Sequence, residues 1–518
     1  MKICLISREY PPDTGWGGIG TFTQHLAKGL VDIGHEVDVV SLAKNKAGHS
    51  VDGKIRIHRV EPYLQDADLG LLARAMPYSR YVISTSAALW RQCLSLHQAR
   101  PFDVIDTPEL LAEGFFPAIS KIAPLVIRLY TPHSKFIAEK LHNVSPSFDH
   151  EMVAMVERMA MLYADAITSP SKDLARYVSA DLNFPLEKIT LIANPIDASV
   201  FSPIGPKAIE VSNQLKVLFI GRLEGRKGIK YLIRAVPTIV KQVPEAHFYI
   251  VGDDTKTAEG QTSVLAELKE FIRQSQCQSS VTFIDRVPLS ELPAYYRSAD
   301  VCVVPSLYDN SPYACLEAMS CGKPVIGTTS GGTKEYLVDG ESGLLVEPKN
   351  SEAIALAVIR LLAEANERKR IGDNARLRVL DKYQRAEIAR QTAALYEQAI
   401  STFQTVEPRP LYTRSTADIL LDTDMVTGGL NTMLHELLWQ WSIRYRLANF
   451  VHSLKTRPRY FIAENLLRAV KTLLPNIEKS SGAISAPVRW LERQVLLKQE
   501  QIVQATKAET VTSNSTSK

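Results

Sequence analysis

The chain of 518 residues is poor in several things. Its six cysteines are Cys4, Cys93, Cys277, Cys302, Cys315 and Cys321, and no two stand as C-x-x-C. The spacing therefore lacks the usual zinc and dithiol patterns, and thiols set in apolar runs read as small buried hydrophobes of a reducing compartment. No run of 18 uncharged apolar residues occurs, which argues against a membrane-spanning helix. The opening MKICLISREYPP has too short an apolar run for a signal peptide and meets Arg8 and Glu9 at once. Charge of one sign is also missing: 60 Lys and Arg face 56 Asp and Glu, a net +4. A dedicated nucleic-acid binder carries a strongly basic domain, so no nucleic-acid partner is expected. The expectation is a cytoplasmic protein, soluble or peripheral at the inner membrane face, of undetermined oligomeric state.

Apolar residues make up 45% of the chain, enough for ordinary globular cores, and the length suits about three domains. Short apolar runs alternate with helical patterns. The first series is Ile3–Ser7, Val37–Leu42, Val104–Asp106, Leu125–Leu129, Ala166–Ser169 and Ile189–Ile192, with helices such as Thr21–Ile33 and Glu151–Ala164 between. From Asn194 to Gln214 the composition turns to a linker, with Pro195, Pro203, Gly205 and Pro206. A second series follows: Val217–Ile220, His247–Val251, Val281–Ile284, Val301–Pro305, Val325–Thr328 and Leu344–Val346. Strands apolar along their whole length are buried on both faces, as in a parallel sheet covered by helices. The fold class is therefore α/β: two Rossmann-like, doubly wound domains facing a central cleft, plus a helical C-terminal extension. Ligands in such sheets sit at the carboxyl ends of strands.

The segment from Pro408 onward loses the alternation. It carries 15 basic and nine acidic residues and three of the five tryptophans. Leu430, Met433, Leu434, Leu437, Leu438, Trp441 and Tyr445 recur at helical spacing, followed by basic residues. Such a stretch suits a helix packed on the enzyme or a dimer contact, and residues 428–475 could instead lie on an anionic membrane surface. The last dozen residues read as a tail.

Three motifs carry chemistry. Gly15-Trp16-Gly17-Gly18-Ile19-Gly20 lies between the first strand and the first helix. Its glycines admit a ligand close to the backbone, and the helix start favours phosphate. Gly221-Arg222-Leu223-Glu224-Gly225-Arg226-Lys227-Gly228 follows strand Val217–Ile220. Cations fixed at that strand end, Arg222 and Lys227, would stabilise a departing diphosphate. The third motif runs from Pro305 to Gly322, with a helix expected over Tyr313–Ser320. Asp309 and Glu317 are eight residues apart, about 12 Å along a helix, and could hold opposite ends of an elongated ligand. Each motif also has a structural reading: a turning loop, a solvated basic turn, and surface carboxylates on an amphipathic helix.

These residues resemble the retaining GT-B glycosyltransferases, and specifically glycosyltransferase family 4, over about residues 1 to 403. The likeness rests on the glycine-rich loop, the G-R-x…K-G string, a carboxylate-x7-Glu string and the segment ITLIANPIDASVF before the linker. It implies a nucleotide-sugar donor (UDP-, GDP- or ADP-sugar), a sugar or lipid-linked hydroxyl acceptor, retention of configuration, and neither metal nor cofactor. It further implies that Glu317 binds the ribose and that Arg222 and Lys227 bind the diphosphate. Gly17 and Gly18 would approach that diphosphate. Asp309, with Ser311, Pro312 and Tyr313, would hold the transferred sugar, and Glu335, after Gly331-Gly332, would line the same cleft. The implied domains are 1–198 for the acceptor, joined by a crossing helix at 385–403, 212–384 for the donor, and 406–518 as the extension.

The chain departs from the family at three places. Asp309 stands where Glu is usual, and Pro195 follows Asn194 where Gly is common. The family histidine after the fourth strand is matched without a gap by Tyr130, whereas His133 lies one turn later and is taken as a site residue. Asp422-Thr423-Asp424 is a D-x-D string outside the α/β domains, and Asp253-Asp254 reads as a loop at a strand end. Neither is taken as a metal site. The alternatives are a GT-B sugar phosphorylase, a nucleotide-sugar epimerase, or a catalytically silent binding subunit.

Overall fold

Aliphatic runs without polar alternation bury both faces when they become strands, and here they build two sheets. The computed structural model describes residues 1–14, 17–61, 76–139, 147–257 and 262–405, which lie in one compact unit. The basic Trp-bearing stretch at 428–475, the D-x-D string, and Gly15 and Trp16 of the glycine loop fall outside the described residues.

The first sheet contains β1 (Lys2–Ile6), β2 (Glu36–Leu42), β3 (Gly48–Asp52), β4 (Ile55–Val60), β5 (Val104–Pro108), β6 (Leu125–Arg128), β7 (Ala166–Ser169) and β8 (Ile189–Leu191). Its order is β3-β4-β2-β1-β5-β6-β7-β8, parallel throughout except for the β3–β4 hairpin. The second sheet contains β9 (Leu215–Ile220), β10 (Ala246–Val251), β11 (Val281–Ile284), β12 (Val301–Val304), β13 (Val325–Thr328) and β14 (Leu344–Val346). Its order is β11-β10-β9-β12-β13-β14, all parallel. The molecule is thus a two-sheet α/β protein of GT-B type.

Both sheets reverse direction next to their first strand. In the first, β1 lies between β2 and β5; in the second, β9 lies between β10 and β12. At such a reversal the loops leaving neighbouring strand ends diverge and open a crevice. The loop after β9 carries the basic turn, and the loop after β12 carries Asp309.

The hairpin was not legible in the apolar pattern. Every residue of Gly48–Val51 is exposed, so this edge strand has no buried stripe to announce it. The other strands follow the apolar runs to within a few residues. The helix Arg385–Thr405 buries Ile388, Ala389, Ala393, Leu395, Tyr396 and Ala399 in the core of the first sheet. The helix before it, Ala365–Lys382, gives Ala375 and Val379 to the core of the second. The chain therefore crosses from one lobe to the other within two residues of Tyr383. There Arg385 is fixed by Asp197 at 2.7 Å and Asp32 at 2.9 Å.

Candidate active site

The basic turn and the acidic loop are built against each other. After β9, a single 3-10 turn, Gly225–Lys227, ends at Gly228 in the left-handed region, with φ +66°. A Cβ on Gly228 would lie 1.9 Å from the carbonyl oxygen of Pro305, so only glycine lets the two loops touch. The Leu307 N–H donates to the Arg226 carbonyl at 2.8 Å. From the far side, Thr328 and Ser330 hydroxyls donate to the carbonyls of Ser306 and Leu307 at 2.6 Å each. The Gly332 N–H donates to the Asp309 carbonyl at 2.8 Å.

Lys227 Nζ reaches Asp309 Oδ2 at 2.5 Å, and Arg226 Nη1 stands 3.7 Å from the same oxygen. Burial would raise the Asp309 pKa, but the charges of Lys227 and then Arg226 hold it below the ordinary carboxylate range. Glu317 lies one turn into the helix Tyr313–Ser320 and is buried. Burial pushes its pKa up to about 7, against the pull of the Tyr296 hydroxyl, 2.7 Å from Oε2, and of the Lys227 charge. The helix ends at Ser320, and Gly322 takes φ +69° just beyond, as a glycine stop should.

These residues open into a cavity of about 460 Å³ between the lobes. The second lobe lines it with Arg222, Arg226, Lys227, Asp309, Ser311, Pro312, Tyr313 and Glu317. The first lobe contributes Glu9, Gly17, Gly18, Tyr130 and Thr131. Gly18 is the first residue of the helix Gly18–Asp32, so the first turn of this helix starts at the cavity wall, with the Gly20 N–H donating to Glu9 Oε2 at 3.3 Å. Arg222 lines the cavity, yet its side chain is 58% exposed and its nearest acid is Glu224, at 3.5 Å. Among the described residues, no cluster of three or more His, Cys, Asp or Glu could hold a metal ion.

Two expected site residues are placed elsewhere. His133 opens the helix His133–Ala138 and turns away from the cavity. Its Nε2 meets His150 Nδ1 at 2.8 Å, its ring packs on Tyr78, and burial lowers its pKa to about 4. Tyr130 lines the cavity instead, its N–H held by both Glu109 oxygens at 2.8 Å. Pro132, at the N-cap, turns the chain between the two, which explains why one faces the cleft and the other the lobe interior. Glu335 also lies off the cleft. Its carboxylate accepts the N–H groups of Lys172 at 2.9 Å and Asp173 at 3.1 Å, capping the helix Lys172–Leu182 of the other lobe.

The family model described as glycosyl transferases group 1 matches residues 205–378, and that of glycosyltransferase family 4 matches residues 16–200. The chain belongs to the group 1 glycosyltransferases. An uncharacterized glycosyltransferase of Methanocaldococcus jannaschii is 29% identical over 409 residues, covering 77% of this chain and 99% of the relative. The MMP alpha-(1->4)-mannosyltransferase of Mycolicibacterium hassiacum is 26% identical over 428 residues, with 77% and 99% covered. Among solved structures, a sucrose-phosphate synthase of Thermosynechococcus elongatus superposes with a TM-score of 0.61 at 24% identity, covering 77% of this chain and 99% of that one. Anabaena HepE in complex with UDP and glucose gives 0.59 at 20%, with the same coverage. The protein is thus a sugar-transferring enzyme.

Several residues of this glycosyltransferase's cleft were not singled out from its sequence. Asn310 sends its amide to the Tyr130 carbonyl and the Thr131 hydroxyl, and so ties the acidic loop to the opposite lobe. Asn194 Nδ2 donates to the Ser311 carbonyl at 3.2 Å. Arg226 stands beside Lys227 in the same turn. The motif strings contain Arg226 and Asn310, but only the packing of the loops separates the side chains that face the cavity from those that do not.

Proposed function

We propose that this protein is a retaining, metal-independent glycosyltransferase that moves a sugar from a nucleotide-sugar donor to a hydroxyl acceptor. The observation that carries this reading is the convergence of Lys227, Asp309 and Glu317 from two adjoining strand ends on one interlobe cavity, opposite the start of the helix Gly18–Asp32. In this reading Glu317 accepts the ribose hydroxyls. Lys227 and Arg222, with the amides near Gly17 and Gly18, bind the diphosphate. Asp309 and the backbone of Ser311 to Tyr313 hold the transferred sugar. The acceptor oxygen bonds the anomeric carbon from the face the nucleotide leaves, the bond to the diphosphate breaks, and the leaving phosphate oxygen takes the acceptor proton. Fixed cations stabilise the charge that develops. Tyr130, rather than His133, stands at the wall where donor sugar and acceptor would meet.

The donor class is supported by solved neighbours: Anabaena HepE in complex with UDP-glucose, and a starch synthase of Arabidopsis thaliana bound to ADP and acarbose. Residues 1–198 with the helix at 385–403 are read as the acceptor lobe, and 212–384 as the donor lobe. The two family models divide at the same linker. Among the described residues no helix is long and apolar enough to cross a membrane.

The test is release of free nucleotide from UDP-, GDP- and ADP-sugars in the presence of sugar acceptors, with the anomeric configuration of the product read by NMR. Lys227→Ala should lower turnover by roughly a hundredfold or more while the protein stays folded. Turnover near that of the parent would refute the role of Lys227. Dependence on inorganic phosphate would indicate a phosphorylase.

A further inference from the structure

Arg226 is a cleft cation to which the roles above give no task. It is fixed at three points. Its Nη2 donates to Glu224 Oε1 at 2.7 Å, its Nη1 donates to the Tyr308 carbonyl at 3.2 Å, and the same Nη1 stands 3.7 Å from Asp309 Oδ2. Glu224 is buried, so the acid that anchors the guanidinium is itself immobilised. Lys227 Nζ meets the same Asp309 oxygen at 2.5 Å. Two cations thus converge on one carboxylate oxygen, and the pair differs in freedom. An ammonium on a four-carbon stem is a movable point charge, whereas a guanidinium already engaged by two other acceptors is held in a rigid fork.

The donor reading gives Lys227 a second duty, at the diphosphate. An ammonium drawn toward two phosphates gives up part of its hold on Asp309. We infer that Arg226 is a positioning residue that keeps Asp309 in place for the transferred sugar while Lys227 serves the diphosphate; this rests on the donor reading given above. The division of labour predicts where the loss falls when one of the two cations is removed. Without Arg226 the nucleotide part of the donor still finds Lys227, Arg222 and Glu317, but the sugar part meets a carboxylate that has lost its fixed partner.

The test compares the full chain with Arg226→Ala and Arg226→Lys by calorimetry, using UDP against UDP-glucose, GDP against GDP-mannose, and ADP against ADP-glucose. For whichever pair the parent binds, Arg226→Ala should bind the nucleoside diphosphate as the parent does. It should lose about tenfold in affinity for the nucleotide-sugar. Arg226→Lys should recover part of that loss. In Arg226→Ala the acid limb of kcat/KM should also move to higher pH, because Asp309 has one cation fewer to favour its charged form. An equal loss for both members of the pair would make Arg226 a phosphate ligand and overturn the inference, as would no loss for either. If the parent binds none of the three pairs, the donor reading fails first and takes this one with it. Should Arg226→Ala not fold, Arg226→Gln is read by the same comparison.

Discussion

Glu317 holds its proton until near neutrality because burial opposes the charge more strongly than Tyr296 and Lys227 favour it, which places its pKa at about 7. A raised carboxyl pKa means that the folded chain binds this proton more tightly than the unfolded chain does. The stabilisation from that proton is full below the ordinary carboxylate range and is lost as pH rises toward 7. Ligand binding runs the other way, since an ionised carboxylate is the stronger acceptor for ribose hydroxyls. Nucleoside diphosphate affinity should therefore rise between pH 6 and pH 8, and Glu317→Gln should remove the part of that rise that Glu317 supplies. Calorimetry of both proteins at the two pH values checks this; an identical pH dependence would detach Glu317 from the ligand. At this scale the identities of the cleft carboxylates were legible, because an acid in an apolar LEAM helix and another in a turn after a strand are conspicuous. The protonation state was not, since it depends on Tyr296, 21 residues away in the chain and 2.7 Å away in space. The same gap explains His133: its ring is turned inward by Tyr78 and His150, neither of which is near it in sequence.

Elements meet in this protein through backbone contacts that only glycine permits. Gly228 ends the basic turn with φ +66°, and an added Cβ would fall 1.9 Å from the Pro305 carbonyl oxygen. Gly228→Ala should therefore push the basic turn from the acidic loop. We expect at least about 2 kcal/mol of destabilisation from left-handed strain and overpacking, with turnover falling at least about tenfold because Lys227 and Asp309 separate. Chemical denaturation and a nucleotide-release assay measure the two effects. Unchanged turnover with lowered stability would show that the loops hold their contact without Gly228. Strand and helix positions were readable from apolar runs, since both sheets are covered on both faces. The β3–β4 hairpin was not: the exposed edge strand β3 carries no apolar stripe, and Arg56, His58 and Arg59 interrupt the apolar residues of the buried β4.

Polar contacts join the two lobes. Glu335 of the second lobe accepts the first amides of the helix Lys172–Leu182 in the first lobe. The Lys135 ammonium lies 4.2 Å from the ring centres of both Tyr177 and Tyr308, one from each lobe. Glu335→Ala should remove a helix cap and cost about 1 kcal/mol, lowering the melting temperature by a few degrees. It should raise KM for the donor more than it lowers kcat, because the seam lies outside the cavity. A kcat loss with KM unchanged would mean that Glu335 acts in the chemistry after all. The sequence by itself determined the two parallel sheets, the linker between them and the strand ends that carry charge, because continuous apolar runs, prolines and glycine turns act locally. Only the tertiary structure decided which charges meet in the cleft, that Tyr130 and not His133 lines it, and that Glu335 joins the lobes rather than the ligand site. Those outcomes depend on distances between segments far apart in the chain, and side-chain direction at a loop is set by what packs behind it.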